Sequence, residues 1–154
     1  MNPARRIAQA VQDDLIAQAL EIAERAERQA RFFSHRTSTP NGTQICKTGL
    51  VPSKAPFAEL ADTGPFSMFV GCDSARPGEV DYVGGHRLDV VLVFSKHPSI
   101  RSIYRAFVDA GTVNQRVLGL AHRLENWFVS YERIPASYVE RVLMVENLGD
   151  TSED

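Results

Sequence analysis

The stretch Arg87–Ser95, RLDVVLVFS, constrains this chain more than any other. It is short, β-branched and apolar, with Gly84-Gly85 before it and His97-Pro98 after it. A run of this length and composition reads as a strand rather than a helix. Leu88, Val90, Leu92 and Phe94 fall on one face, and Val91 and Val93 share the other with Asp89. Both faces need cover, which places the strand inside a sheet. Val80–Val83 ahead of Gly84-Gly85 gives a hairpin signal, with Val83 opposite His86 and Tyr82 opposite Arg87.

The partners of that strand must come from both sides. Residues 4–34 carry Ile7, Val11, Leu15, Ile22, Ala26, Ala30 and Phe33 at helical steps. The spacing predicts one long helix with a single apolar stripe. Glu21–Arg25, Glu24–Arg28 and Glu27–Arg31 stand i,i+4 in the favourable order, as on a solvated face. Phe66–Cys72 reads as a strand and Asp73–Gly78 as a turn. After His97-Pro98 a helix is expected, with Ile100, Ile103, Tyr104, Phe107 and Val108 as its stripe. Gly111 ends it. Thr112 and Gln115 make a capping-box pattern for a second helix bearing Val113, Val117, Leu120, Leu124, Trp127, Phe128 and Tyr131. Trp127 is thereby expected to anchor the core of a helical pair. The Val-rich run at 139–147 reads as a returning strand, with a short helix between Pro135 and Gly149 as the alternative.

Residues 35–65 break every period, with Pro40, Pro52, Pro56 and Pro65 among Gly42, Gly49 and Gly64. An irregular arm is the expectation, and so long a connection usually has a function. Its bases come before its first acid, Glu59. Arg36, Lys47, Lys54 and Phe57 are the candidate interface residues, contacting a partner subunit or, more weakly, a nucleic-acid backbone. The absence of interleaved aromatics speaks against base stacking. The organisation expected is a helix at 1–34, an arm at 35–65, an α+β core at 66–148 and an acidic tail at 149–154. Its fold class is α+β, a small antiparallel or mixed sheet covered by helices.

Chemistry is harder to find. The net charge of −2 gives no general pull toward nucleic acid or anionic membrane. No apolar run approaches the roughly 20 residues that span a bilayer, and no secretory leader is expected. Cys46 and Cys72 lack metal or redox spacing, so both are expected as reduced thiols in a cytoplasmic or virion-associated protein. His35, His86, His97 and His122 show no metal-ligand spacing. Cys72, Asp81, His86 and Asp89 would meet near the hairpin, but not in a zinc pattern. Cys72 or Ser74 with His86 lacks the strand–nucleophile–helix elbow of a catalytic triad. No metal, cofactor or catalytic residue is therefore assigned, and Asp89 reads as a solvent-facing or ion-paired carboxylate.

Two resemblances bear on function. GCDSARPGEVDYVGGHRLDVVLVF is similar to the nucleotidyltransferase superfamily, whose Gly-Ser turn precedes a strand with paired metal-binding carboxylates. Here Cys72 stands at the serine, and Val91 stands where the second acid belongs. That departure leaves a nucleotidyltransferase-like or hydrolytic site around 72–89 as the alternative reading only. The layout over about residues 60–148, with its hairpin, its RLDVVLVF strand and its covering helices, resembles phage neck and tail-terminator proteins. The resemblance implies a non-enzymatic subunit of head–tail machinery that binds copies of itself and other protein subunits.

Overall fold

A computed structural model describes residues 2–53, 65–72, 81–83 and 86–144. Its first element, α1 (Pro3–Gln29), starts where the chain supplies a cap: the Asn2 side chain accepts from the Arg5 N–H at 2.8 Å, and Pro3 opens the helix. The far end is held by Lys96, whose ammonium donates to the Glu27 carbonyl at 3.1 Å, where the helix dipole favours a cation. The helix is shorter than its periodicity suggests. Phe33 falls on the helical stripe, but the chain turns extended at Ala30 and becomes β1 (Phe32–Thr37). Phe33 pairs there with Gly71 on one side and Phe94 on the other, and this sheet pairing overrides the local helical period.

The described part of the segment 35–65, expected to be an irregular arm, is mostly regular. Besides β1 it holds α2 (Thr39–Thr48). Ser38 caps α2 by accepting from the Asn41 N–H, and Pro40 sits in the first turn, where its missing N–H costs no hydrogen bond. Gly49 ends the helix at φ 90, and a Cβ there would lie 2.4 Å from the Ile134 carbonyl oxygen. Prolines and glycines that look like breakers are thus the two ends of a helix. Leu50 then bridges Ile134, and Ser53 bridges Phe66.

The fold is α+β. Among the described residues a six-stranded antiparallel sheet runs in the order β6-β7-β2-β1-β5-β8. Its strands beyond β1 are β2 (Ser67–Cys72), β5 (Val90–Phe94), β6 (Arg101–Ser102), β7 (Trp127–Ser130) and β8 (Val139–Met144). β5 is buried along its whole length between β1 and β8, as an interior strand should be. The apolar run that suggests one strand is split at Asp89. Its first part, β4 (His86–Leu88), pairs instead with β3 (Asp81–Val83) as a separate two-stranded unit. That hairpin keeps the expected register, Val83 opposite His86 and Tyr82 opposite Arg87. Gly84-Gly85 and the 73–80 turn lie outside the described residues.

Residues directly opposed in a sheet share a face. Phe33, Phe94, Phe69 and Phe128 therefore meet, with edge-on ring contacts at 4.9 Å (Phe33–Phe128), 5.3 Å (Phe69–Phe94) and 6.4 Å (Phe33–Phe69). Gly71 makes room for them, since a Cβ there would stand 2.5 Å from the Phe128 ring. Ile45 of α2 with Ala26 and Ala30 completes this cluster. A second cluster joins Leu15, Ala19 and Ala23 of α1 to Phe66, Val129 and the buried face of α3 (Ile103–Ala110).

The C-terminal half corrects two further expectations. His97-Pro98 ends β5 but starts no helix; a turn and β6 intervene, and Ser102 caps α3 by accepting from the Tyr104 N–H at 3.1 Å. Gly111 does end α3, at φ 70. The following helix is capped by Asn114 rather than Thr112 and breaks into α4 (Gln115–Gly119) and α5 (Ala121–Leu124). Trp127 and Phe128 are not helical. They lie on β7, because Val70 and Phe69 of β2 present a strand edge that an aromatic and β-branched WFVS run fills well. Trp127 is half-buried beside the core, its indole N–H donating to the Arg123 carbonyl at 3.0 Å, while its neighbour Phe128 is fully buried. The 139–144 stretch is a strand, as the first of its two readings has it.

Candidate assembly surfaces and a polar cavity

From Leu15 onward the apolar stripe of α1 is buried: Leu15, Ala19, Ala23 and Ala26 all lie in the core. Before Leu15 the same stripe faces outward. Ile7 is 67% exposed and Val11 52% exposed, and every other residue from Asn2 to Asp14 except Gln12 is exposed too. The Gln12 amide donates to the Val113 carbonyl at 3.3 Å. Twelve helical residues, about 18 Å of helix at 1.5 Å per residue, thus extend past the core with an apolar stripe uncovered. The rear of the helix is fastened differently from the expected solvated face. Glu27 turns toward α3 and accepts from Arg105 at 2.7 Å and from the Ser102 N–H at 2.9 Å. Burial raises its carboxyl pKa, but these hydrogen bonds and the Arg105 and Arg101 charges hold it below the usual value.

Of the four candidate interface residues, Arg36 and Lys47 lie among the described residues. Arg36 lies on β1, where its Nε donates to the Leu88 carbonyl at 3.2 Å, tying the sheet to the hairpin. Lys47 is exposed in the last turn of α2, a position that suits the helix dipole. Lys54 and Phe57 lie outside the described residues. A surface not anticipated from sequence is the edge strand β8, on which Val142 is 51% and Met144 57% exposed.

Cys72 ends β2, Asp81 and His86 sit on β3 and β4, and Asp89 accepts from the Thr39 hydroxyl at 3.0 Å, fastening α2 to the sheet. Among the described residues no three His, Cys, Asp or Glu side chains gather as a metal site. His97 contacts the Ser99 hydroxyl at 2.6 Å and packs edge-on to Tyr138, while His122 is exposed on α5. Near His97 a cleft of about 510 Å³ is walled by Glu27, Lys96, Arg101 and Arg105. Arg105 pairs with Glu27 and Lys96 holds the end of α1, while Arg101 reaches Asp109 outside the cleft at 3.1 Å and leaves its buried Nε without a hydrogen-bond partner among the described residues.

A second cavity, about 430 Å³, lies between α2 and the sheet. Among the described residues its walls carry no Asp, Glu, Lys or Arg. His35 contacts the Met68 carbonyl through Nδ1 at 2.8 Å. Burial pushes the imidazole pKa down, and the Met68 hydrogen bond only partly offsets this, so the ring is neutral near pH 7. A neutral ring that donates from Nδ1 carries its lone pair on Nε2. Ser67, 3% exposed, has no hydrogen-bond partner for its hydroxyl among the described residues. Sequence reasoning passed over both residues because 35 stood in the supposed arm. The alternation Phe33, His35, Thr37 is the signal that would have put His35 on an inward face.

No helix among the described residues is long and apolar enough to cross a membrane. Comparison with known proteins finds no matching family, no matching curated protein and no matching solved structure.

Proposed function

We propose that this protein is a non-enzymatic assembly subunit that binds further copies of itself and other protein subunits. The observation that carries this reading is the forward part of α1, where Ile7 and Val11 extend a core stripe into solvent. Burying such a side chain fully is worth about 1.5–3 kcal/mol, and a helix gains it only if another surface covers the stripe. The exposed apolar side chains of edge strand β8 add a second place where another subunit fits. The more specific form of the proposal is a phage head–tail protein of the neck or tail-terminator kind. Its support is the layout: a long first helix, a hairpin, the β5 strand and covering helices. The test is the molar mass of the protein across a wide concentration range. A multiple of the chain mass is expected, and a strict monomer at the highest concentration, with no partner co-purifying from the native source, would overturn the reading.

A further inference from the structure

We propose that the cavity beneath α2 is a binding site for a small uncharged polyhydroxylated molecule of monosaccharide size, held by Ser67 and His35. The site is separate from the surfaces invoked for assembly, so either reading stands without the other. Its volume lies toward the small end of ligand sites, which run from about 300 to 1,000 Å³. Charge selects the class. Among the described residues the walls hold no ionised side chain, so a charged ligand would lose its hydration without gaining a counter-charge from them. The polar groups then define what a neutral ligand must offer. His35, committed through Nδ1 to Met68, presents Nε2 as an acceptor and so asks for a hydroxyl or N–H donor. The Ser67 hydroxyl is buried and unpartnered, and such a group costs stability of about 1–3 kcal/mol unless something bonds it. Ser67 shares a face with Phe69 and Gly71 along β2, and Gly71 stands opposite Phe33, whose face His35 shares along β1, so both polar groups project from the same sheet face. Asn41 stands on the exposed α2 side, while Phe66 and Ile45 give apolar walls for the C–H faces of a sugar ring.

The experiment is a thermal-shift and ligand-observed NMR comparison on the full chain. Its probes are D-glucose, D-galactose and D-ribose, with D-glucuronate and D-glucosamine as charged analogues. Excluded sugars stabilise any protein somewhat, so the reading is the difference between wild type and variants. At least one neutral sugar is expected to show saturation transfer and to raise Tm more in the wild type than in Ser67→Ala. The charged analogues should bind at least tenfold more weakly. Ser67→Ala without ligand should melt higher than the wild type, since it removes an unpartnered hydroxyl. Asn41→Ala, on the exposed side of α2, gives a second variant that should weaken binding while leaving Tm in place. The proposal is overturned if Ser67→Ala melts lower, because the hydroxyl then has an internal partner. It is equally overturned if no neutral sugar distinguishes the wild type from the variants. A soaked crystal in which the cavity holds only a water on Ser67, or is packed with protein, overturns it as well.

Discussion

The two ends of α1 are built from the same material and meet opposite fates. Both are rich in alanine, and both carry their apolar residues along one stripe through Ile7, Val11, Leu15, Ala19, Ala23 and Ala26. Behind Leu15 that stripe is buried against α3 and the sheet, and alanines at 0% exposure let the helices approach closely. Ahead of it, the stripe is in solvent. Periodicity determines which residues share a face; it does not determine whether anything stands opposite that face. The difference therefore locates where the domain's own core ends and where a surface for something else begins.

The largest effects should come from the buried side of that boundary. Leu15→Ala is expected to cost about 2–5 kcal/mol in urea unfolding, because Leu15 is the first fully packed residue of the stripe. That is a large share of the roughly 5–15 kcal/mol that stabilises a domain. Ala19→Leu, adding bulk where there is no space, should cost about 1–3 kcal/mol. A cost below about 0.5 kcal/mol in either variant would move the boundary toward the C-terminus and break the comparison.

An intermediate effect should come from the Glu27 clamp, which fastens the rear of α1 to α3 by charge, where the front has the neutral Gln12 bond to the Val113 carbonyl. The folded protein holds this carboxyl below its unfolded value of 4.5, through Arg105 and the Ser102 N–H despite burial. The ionised form is therefore the stabilising one. Its contribution is complete above the unfolded pKa and is lost as pH falls from about 4.5 through the lower folded value. Unfolding midpoints measured between pH 6 and pH 3 should converge for wild type and Glu27→Gln at the acid end. Curves that stay parallel would show that the clamp does not discriminate the charged form. His35 works in the same direction at higher pH. Its folded pKa is below 6.5, so the unfolded chain takes up its proton first. Stability is lost as pH falls from about 6.5, and His35→Gln should flatten that part of the profile.

How much of this was legible follows from what each residue answers to. β5, the hairpin register, Gly111 and β8 depend on local pattern and turn chemistry, and these were readable. Phe33 and Trp127 obey a helical period in sequence and lie on strands in the fold, because partners distant in the chain, Gly71 with Phe94 and Val70, offered better pairing. Single-sequence periodicity contains no record of such partners. α2 was hidden for the opposite reason. Pro40 and Gly49 were counted as breakers although Ser38 ahead and the position of each made them caps. The cavity under α2 followed α2 into obscurity, while the exposure of Ile7 and Val11 required knowing where the core stops.

The smallest expected change in stability is also the one that bears most directly on the exposed end. Ile7→Asp with Val11→Asp places two carboxylates on a stripe that is mostly exposed in the protomer. Surface substitutions away from caps and cores usually stay within about 0.5 kcal/mol, so urea unfolding of the protomer should barely move. Aspartate has modest helix propensity, and at these second- and third-turn positions its cost stays at about a few tenths of a kcal/mol per site. The oligomer should respond very differently. A carboxylate buried in an apolar contact without a partner is strongly unfavourable, so any assembly that covers this stripe should fall apart. The same double variant thus separates the two ends of α1. Preserved unfolding with a mass reduced to that of one chain assigns the front half to assembly. An unchanged mass with unchanged unfolding would show that the overhanging stripe covers nothing, and that any self-association runs through β8 instead.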